Sequence, residues 1–372
     1  MKRVLLYLLA IAPLAAFAQG GQLNGTNYYR VQNADTKRYI SIVDTRVYRV
    51  GTDVDLKAMR MLSADDFEDK VACNPATICY IEQLSSNSCN LIGQGLNLSD
   101  YGYCLNVIIT PNNTYRMYGS TAGVSLYLVD NTRSSSPMTM QGGGGGYRNW
   151  WFLPIDQSNT QYFGVKPDIM ASADGSYWST MYAGFPFKPS ATDTKVYTVC
   201  KVDYSRGVAV IKEVTGDVPT KAPVLFRCGS ATPSGNKLTL LDPSTSANLG
   251  ANILRGNYYC NDVVDTNERE HRYVVDYNKN TMRMLGTTTD GKPAFVKSDI
   301  QYLPANKCYL AVNSSAPDVL QIVTEEEYAT GINELEAPAT KKPQVIYDLQ
   351  GRRIATPSKG LYIVNGKKMV IK

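Results

Sequence analysis

Apolar residues in this chain come in short runs that are separated by Gly, Pro, Asn and Asp, as in "KVYTVCKVD" and "IQYLPANKCYLAV". Short apolar runs bounded by turn-forming residues predict β-strands. Helix-like stretches are confined to Asp65–Lys70 and Thr324–Ala329, because no pattern with a period of 3.6 residues continues further before a turn residue interrupts it. The sequence therefore predicts an all-β protein.

An internal repeat organises the first part of the chain. The segment "YRVQNADTKRYISIVDTR" from Tyr29 is echoed by "YRMYGSTAGVSLYLVDNTR" from Tyr115, an offset of 86 residues. If the period is about half of that, a middle copy should begin near residue 72, and the stretch "CYIEQLSSNSCNLIGQG" from Cys79 is a degenerate candidate for it. Three units of about 40 residues are therefore predicted. The matched positions are Tyr29 and Tyr115, Ile42 and Leu128, Val43 and Val129, and Asp44 and Asp130.

Three such units, followed by the run Trp150–Pro154, resemble the ricin-type β-trefoil family over residues 24–156. The resemblance implies an N-terminal β-trefoil domain at 19–156. A chance similarity between two hairpins of a sandwich fold is the alternative. Asp44 and Asp130 are expected at turns, where a turn-capping role suits aspartate.

The family's sugar site does not carry over to this chain. Its repeats place an acid where this sequence has Ser41 and Tyr127, and they close with Gln-x-Trp where this sequence has Arg148. We expect sugar binding, if it occurs, to use other aromatic residues. The candidate binding residues are Tyr127, Tyr147 and Trp151.

A polar segment, 156–161, predicts the boundary to a second domain at 162–330. Its short strands are often apolar on both faces, which favours an all-β sandwich or barrel-like domain. The region resembles a β-rich module of secreted Bacteroidota proteins, which have no assigned function, and this implies no chemistry.

The first residues have the pattern of a secretory signal peptide. Basic Lys2 and Arg3 precede the apolar run Val4–Phe17, and Ala16-Phe17-Ala18 gives a small-x-small cleavage site. We expect a signal peptide at 1–18 and a mature chain that begins near Gln19, with a buried N-terminal helix as the alternative. The run is too short for a membrane span, and no transmembrane segment is predicted.

The net charge of +5 depends on the ends of the chain. Residues 341–372 hold eight basic residues and one acid, whereas residues 19–340 hold 28 basic and 32 acidic residues, a net charge of −4. A mildly acidic body is a poor nucleic-acid binder, so no nucleic-acid partner is expected.

Catalytic motifs are absent from the sequence. The single histidine, His271, lies in a charged stretch, and no G-x-S-x-G or Cys-x-x-Cys motif occurs. We predict no enzyme activity, no cofactor and no metal site. The eight cysteines leave two alternatives open: disulfides within each domain, or buried free thiols.

The final segment contains "KGLYIVNGKKMVIK", in which Asn365-Gly366 is a strong hairpin signal. Together with "YDLQGRR", it closely resembles the C-terminal sorting domains of the type IX secretion system in Bacteroidota, although it is shorter than most of them. We expect a linker at 331–343 and a tail of three short strands at 344–372. The resemblance implies that the outer-membrane secretion machinery is a partner. A last strand that completes the second domain is the alternative.

These features lead to one leading hypothesis and two others. The chain is predicted to be an exported, non-catalytic binding protein that passes the periplasm and reaches the cell surface or the medium. Its trefoil loops would bind a glycan or a host or cell-surface protein. The alternatives are a secreted, glycosidase-like hydrolase, whose paired carboxylates cannot be located in the sequence, and a trefoil protease inhibitor.

Overall fold

The structure of the chain is a computed structural model. The predicted signal peptide 1–18, His271, the predicted linker 331–343 and the turn residues 365–366 lie outside the residues that it describes. The described residues are 27–44, 48–50, 53–56, 59–97, 105–109, 114–121, 124–130, 138–141, 146–156, 160–260, 273–330, 346–347, 353–354, 359–364 and 367–371.

Strands dominate the described chain, and the prediction of an all-β protein is confirmed. The α-helices among the described residues are α1 (Phe67–Lys70) and α2 (Glu325–Thr330), which overlap the two helix-like stretches of the sequence. Neither described helix is long and apolar enough to cross a membrane.

The first sheet curls strongly. Six of its strands pair in an antiparallel cycle, β1–β6–β7–β9–β10–β13 and back to β1. The strands of this sheet are β1 (Asn27–Asn33), β2 (Tyr39–Ile42), β3 (Tyr48–Val50), β4 (Asp53–Leu56), β5 (Met59–Leu62), β6 (Cys79–Ser85), β7 (Ser88–Gly93), β8 (Leu96–Asn97), β9 (Leu105–Ile109), β10 (Tyr115–Thr121), β11 (Val124–Val129), β12 (Met138–Gln141) and β13 (Trp150–Pro154).

Two hairpin-like extensions leave this cycle, one from β1 and one from β10. From β1 the sheet continues through β2 to β5, and from β10 it continues through β11 to β12 and then to β4 and β3. The matched tyrosines of the sequence repeat are Tyr29 on β1 and Tyr115 on β10. Both are buried, and their rings lie 6.0 and 5.1 Å from that of Phe152 on β13.

The second sheet is also strongly curled and is mixed. Its order is β14–β15–β19–β17–β18–β25–β23–β22–β24–β21, and β18 and β25 are parallel. The backbone N–H of Cys308 on β24 donates to Thr180 Oγ1 on β15, at 3.1 Å, although the two strands are far apart in the sheet order. Its strands are β14 (Ile169–Ala171), β15 (Ser176–Met181), β17 (Lys195–Asp203), β18 (Val208–Val214), β19 (Val224–Cys228), β21 (Leu254–Asn257), β22 (Met282–Thr287), β23 (Pro293–Val296), β24 (Lys307–Ala311) and β25 (Val319–Thr324), and β16 (Phe187–Pro189) pairs separately with β20 (Leu238–Leu240).

The tail forms a small separate sheet of four strands among the described residues, one more than predicted. The pairing of Val364 with Lys367 leaves two residues between the last two strands, so the hairpin prediction is confirmed. The additional strand arises because "VIYDLQGRRI" pairs its own two ends. The strands are β26 (Ile346–Tyr347), β27 (Arg353–Ile354), β28 (Gly360–Val364) and β29 (Lys367–Ile371).

The tip of the β7–β8 hairpin is inserted into the region of the second sheet. Gln94, buried and in the left-handed conformation with φ 53°, forms a reciprocal amide pair with Asn306, at 2.9 and 2.8 Å. The Tyr259 hydroxyl donates to the Gln94 carbonyl. A Cβ on Gly184 would lie 2.9 Å from the Gln94 Cα, so the two backbones approach closely there.

Arg30 on β1 is fully buried, and no described carboxylate lies within ion-pair distance of it. Its guanidinium donates to the Gln161 carbonyl at 3.0 Å, to Thr77 Oγ1 at 3.2 Å, and to the carbonyls of Val71 and Ala72 at 3.4 Å. Burial lowers the pKa of Arg30 to about 10, which leaves it protonated at neutral pH. One side chain thus joins the first sheet to the 71–77 loop and to the segment that leads to the second sheet.

We predict that Arg30→Met lowers the free energy of unfolding by about 2–4 kcal/mol, because the substitution leaves buried carbonyl groups without a donor. Urea unfolding followed by tryptophan fluorescence measures the change. Arg116→Met is the control, since Arg116 is exposed, and it should change stability by less than about 0.5 kcal/mol. Equal stability of the two variants would contradict a structural role for Arg30.

Candidate functional site

An outward-facing pair of tyrosines occupies β10 and β11. Side chains alternate along a strand, and since Met117 and Leu126 are buried, Tyr118 and Tyr127 point to the other face. The two tyrosines are directly opposite in the antiparallel register. Their ring centroids lie 5.6 Å apart with an interplanar angle of 39°. Both are partly exposed, so they form a continuous aromatic surface.

Arginine and asparagine side chains border this aromatic pair. The Arg148 Cζ lies 5.0 Å from the centroid of the Tyr127 ring, within the range of a cation–π interaction. Exposed Arg116, on the same face of β10 as Tyr118, donates its Nε–H to Asn149 Oδ1 at 3.2 Å. We call this surface the tyrosine–arginine face, and it consists of Arg116, Tyr118, Tyr127, Tyr147, Arg148 and Asn149.

A buried carboxylate fixes one edge of the face. Asp130 directly follows β11, is fully buried, and exchanges backbone hydrogen bonds with Tyr147 at 3.0 and 3.2 Å. Its carboxylate accepts from Arg38 Nε at 3.0 Å, from Arg38 Nη2 and from Thr36 Oγ1 at 2.6 Å. Asp130 thus forms a buried ion pair between the two sequence repeats, and the residues of the turn that would follow it lie outside the described part of the chain.

The three candidate binding residues of the sequence analysis separate into two places. Tyr127 lies next to the Arg148 guanidinium, and Tyr147, which directly precedes Arg148 in the chain, is 44% exposed. Trp151 instead packs in a small cluster with Tyr39 and Leu153. The Lys37 Nζ lies 3.9 Å from the centroid of its ring, so one face of the indole is covered.

Sequence reasoning did not single out Arg116, Tyr118 or Asn149. The pattern that would have found Tyr118 is the alternation of "YRMY" on β10. It places Arg116 and Tyr118 on one face once the hairpin register with β11 is known. Asn149 joins them only through the fold, since it is 33 residues from Arg116.

In the first repeat, the position at which ricin-type trefoils place the sugar-binding acid is buried. Ser41, which occupies it, is 3% exposed and pairs across β2 and β5 with Arg60. A hydroxyl buried in this way cannot reach a sugar in solvent. This agrees with the expectation that the family's sugar chemistry does not carry over.

A second group of polar residues has the composition of a catalytic cluster but not its accessibility. Lys307 Nζ lies 2.6 Å from Asp168 Oδ1 and 3.3 Å from Ser179 Oγ, and Ser179 donates to Asp168 Oδ2 at 3.1 Å. Ser179 is fully buried, so its hydroxyl cannot meet a substrate. The group ties β24 to β15, which gives it a structural role in the curl of the second sheet. Among the described residues, no group of three or more His, Cys, Asp or Glu side chains is arranged to hold a metal ion.

No protein-family model matches the chain. A comparison with curated proteins found no match, and neither did a comparison with solved structures. The tyrosine–arginine face therefore has to be interpreted from its own geometry.

The buried thiols are predicted to be inert. Burial raises the pKa of Cys79, Cys228 and Cys308 to about 12. Since the thiolate is the reactive form, only about one thiol in ten thousand is ionised at pH 8.

Iodoacetamide at pH 8 should therefore leave these three cysteines unmodified in the native protein and modify them in denaturant, as followed by peptide mass spectrometry. Partly exposed Cys73 and Cys200 provide the internal comparison and should react earlier. Native-state labelling of Cys308 at the rate of Cys73 would contradict the burial that we describe.

Proposed function

We propose that this chain is an exported, non-catalytic binding protein that holds a glycan on the tyrosine–arginine face. The observation that carries the proposal is the outward pair Tyr118–Tyr127 with the Arg148 guanidinium over one ring. An exposed aromatic surface next to polar donors is what a ligand with both apolar and polar faces requires.

A sugar ring fits the chemistry of this surface. Its C–H face is apolar and packs on an aromatic ring, while its hydroxyls need donors and acceptors at the edge of the contact. The tyrosine hydroxyls, the Arg116 guanidinium and the Asn149 amide provide both kinds of group. Tyrosine also has few rotatable bonds, so holding it in place costs little conformational entropy.

The β-trefoil is proposed as the fold of the first unit. It is supported by the six-strand cycle, by the two hairpin-like extensions from β1 and β10, and by the shared contact of Tyr29 and Tyr115 with Phe152. For the second unit we propose a barrel-like arrangement, supported by the hydrogen bond between β15 and β24. The resemblance to ricin-type trefoils extends to this architecture and not to the family's sugar site.

The tail is proposed to be a type IX sorting signal of a secreted Bacteroidota protein. Residues 344–372 resemble the C-terminal sorting domains of the type IX secretion system, and this supports the proposal. The described strands of the tail also pair with one another in a small sheet of their own. In this proposal the signal peptide directs the chain to the periplasm, and the tail directs it to the outer-membrane machinery and then to the cell surface or medium.

No observation favours the hydrolase or the protease inhibitor. The one described serine that lies beside both a lysine and a carboxylate is buried, and the tyrosine–arginine face contains no carboxylate. A protein ligand on the same face is an outcome that the binding experiment distinguishes.

We predict that Tyr127→Ala weakens glycan binding at least about tenfold, because it removes half of the aromatic surface and the support of Arg148. A glycan array on the chain from Gln19 identifies the ligand, and titration calorimetry then measures the affinity. Tyr204→Ala is the matched control, since Tyr204 is an exposed tyrosine in the second unit.

If the two variants bind the glycan with equal affinity, the glycan does not bind on this face. If the chain binds no glycan on the array but binds a protein, and Tyr127→Ala abolishes that binding, the ligand of this face is a protein and not a glycan.

The tail proposal predicts a change of location. An exported reporter fused to residues 331–372 should reach the surface or the medium of a host with a type IX system. The same reporter without the tail should remain in the periplasm, as fractionation would measure. A fused reporter that stays in the periplasm would contradict the proposal that the tail is a sorting signal.

A further inference from the structure

The tyrosine–arginine face lies in a stretch of the protein body that has a net positive charge. Residues 105–155 contain three basic residues, Arg116, Arg133 and Arg148, and one acid, Asp130, a net charge of +2. The whole body, 19–340, has 28 basic and 32 acidic residues, a net charge of −4. Outside this stretch the body therefore has 25 basic and 31 acidic residues, a net charge of −6.

The single acid of the stretch does not offset its arginines at the surface. Asp130 is fully buried, and its carboxylate accepts from Arg38 and Thr36 on the other repeat. In the sheet order, β4, which contains Asp53 and Asp55, is separated from β11 by β12. The exposed cation of the face on β10 is Arg116.

Arg116 has the geometry of an anion-binding side chain. Its Nε–H is held by Asn149 Oδ1 at 3.2 Å, which fixes the plane of the guanidinium. Its two terminal nitrogens have no hydrogen-bond partner in the part of the chain that the structure describes. A guanidinium fixed through Nε presents two parallel N–H donors, which match the two oxygens of a carboxylate.

We propose that the ligand of this face is an acidic glycan, in which a uronic acid carboxylate binds Arg116 and a sugar ring packs on Tyr118 and Tyr127. This inference rests on the proposed glycan-binding function and specifies its ligand class. An acidic polymer would otherwise be repelled by a body of net negative charge. The Arg116 guanidinium next to the aromatic pair gives such a polymer a local point of attraction on this face.

The test compares each acidic ligand with its own neutral form. Oligomers of galacturonate, glucuronate and mannuronate are titrated into the full chain from Gln19, each alongside its carboxyl-reduced counterpart. We expect at least one acidic oligomer to bind about tenfold or more tightly than its reduced form, and this preference to decrease as salt rises.

Variants separate the charge from the aromatic surface. Arg116→Gln should reduce the acid-to-neutral ratio to less than about threefold, whereas Tyr127→Ala should weaken binding of both forms. Arg255→Gln, at an exposed arginine of the second unit, should leave the ratio unchanged. Circular dichroism and thermal unfolding verify that each variant is folded.

The outcomes distinguish this inference from the function on which it rests. Equal binding of acidic and reduced oligomers, with loss in Tyr127→Ala, would overturn the acidic ligand and retain a glycan-binding face. An unchanged ratio in Arg116→Gln would also overturn the inference. Absence of binding to every acidic, reduced and array glycan would overturn both proposals.

Discussion

The strand β13 is the constraint on which the first unit depends, because it pairs with β1 on one side and with β10 on the other. Its inward residues, Trp150 and Phe152, are fully buried. The indole Nε1–H of Trp150 donates to the Leu128 carbonyl at 3.1 Å, so the ring fills core volume without an unpaired donor. Closing the cycle in this way brings the end of β11 next to the segment 146–149. The tyrosine–arginine face therefore exists only when β13 is in place.

A second constraint is the buried contact between the two units. Gln94 and Asn306 both have positive φ, with values of 53° and 58°, and each amide satisfies the other. A non-glycine residue in this conformation is uncommon and is kept where the surrounding structure determines it. The contact involves the tip of the β7–β8 hairpin. The hairpin of β10 and β11, by contrast, keeps its tyrosines partly exposed, and a ligand face on the third repeat is compatible with this arrangement.

Local patterns were enough to predict the local features of the fold. The strand content, the two short helices and the tail hairpin each depend on residues close together in sequence. The repeat offset matched Tyr29 with Tyr115, and both side chains are buried next to Phe152. The tail was predicted with three strands and has four among the described residues, since the two-residue strands β26 and β27 give no clear apolar run.

Features that depend on long-range contacts were not predictable in this way. The partners of Arg30 include Gln161, 131 residues away, and those of Asp130 include Arg38, 92 residues away. The candidate site shows the same limit. Tyr127 and Tyr147 were identified from their residue type, but Tyr118, Arg116 and Asn149 joined them only through strand register and the return of β13. Composition alone likewise does not indicate that Asp130 is buried. The positive charge of the face depends on this burial.

Hydrogen–deuterium exchange with and without bound glycan tests the location of the site most directly. Ligand at the tyrosine–arginine face should slow amide exchange in residues 115–129 and 146–151. Exchange in the second unit should change little. Protection confined to residues 79–97, or to the sheet that begins at Ile169, would contradict the account and move the ligand site to another part of the molecule.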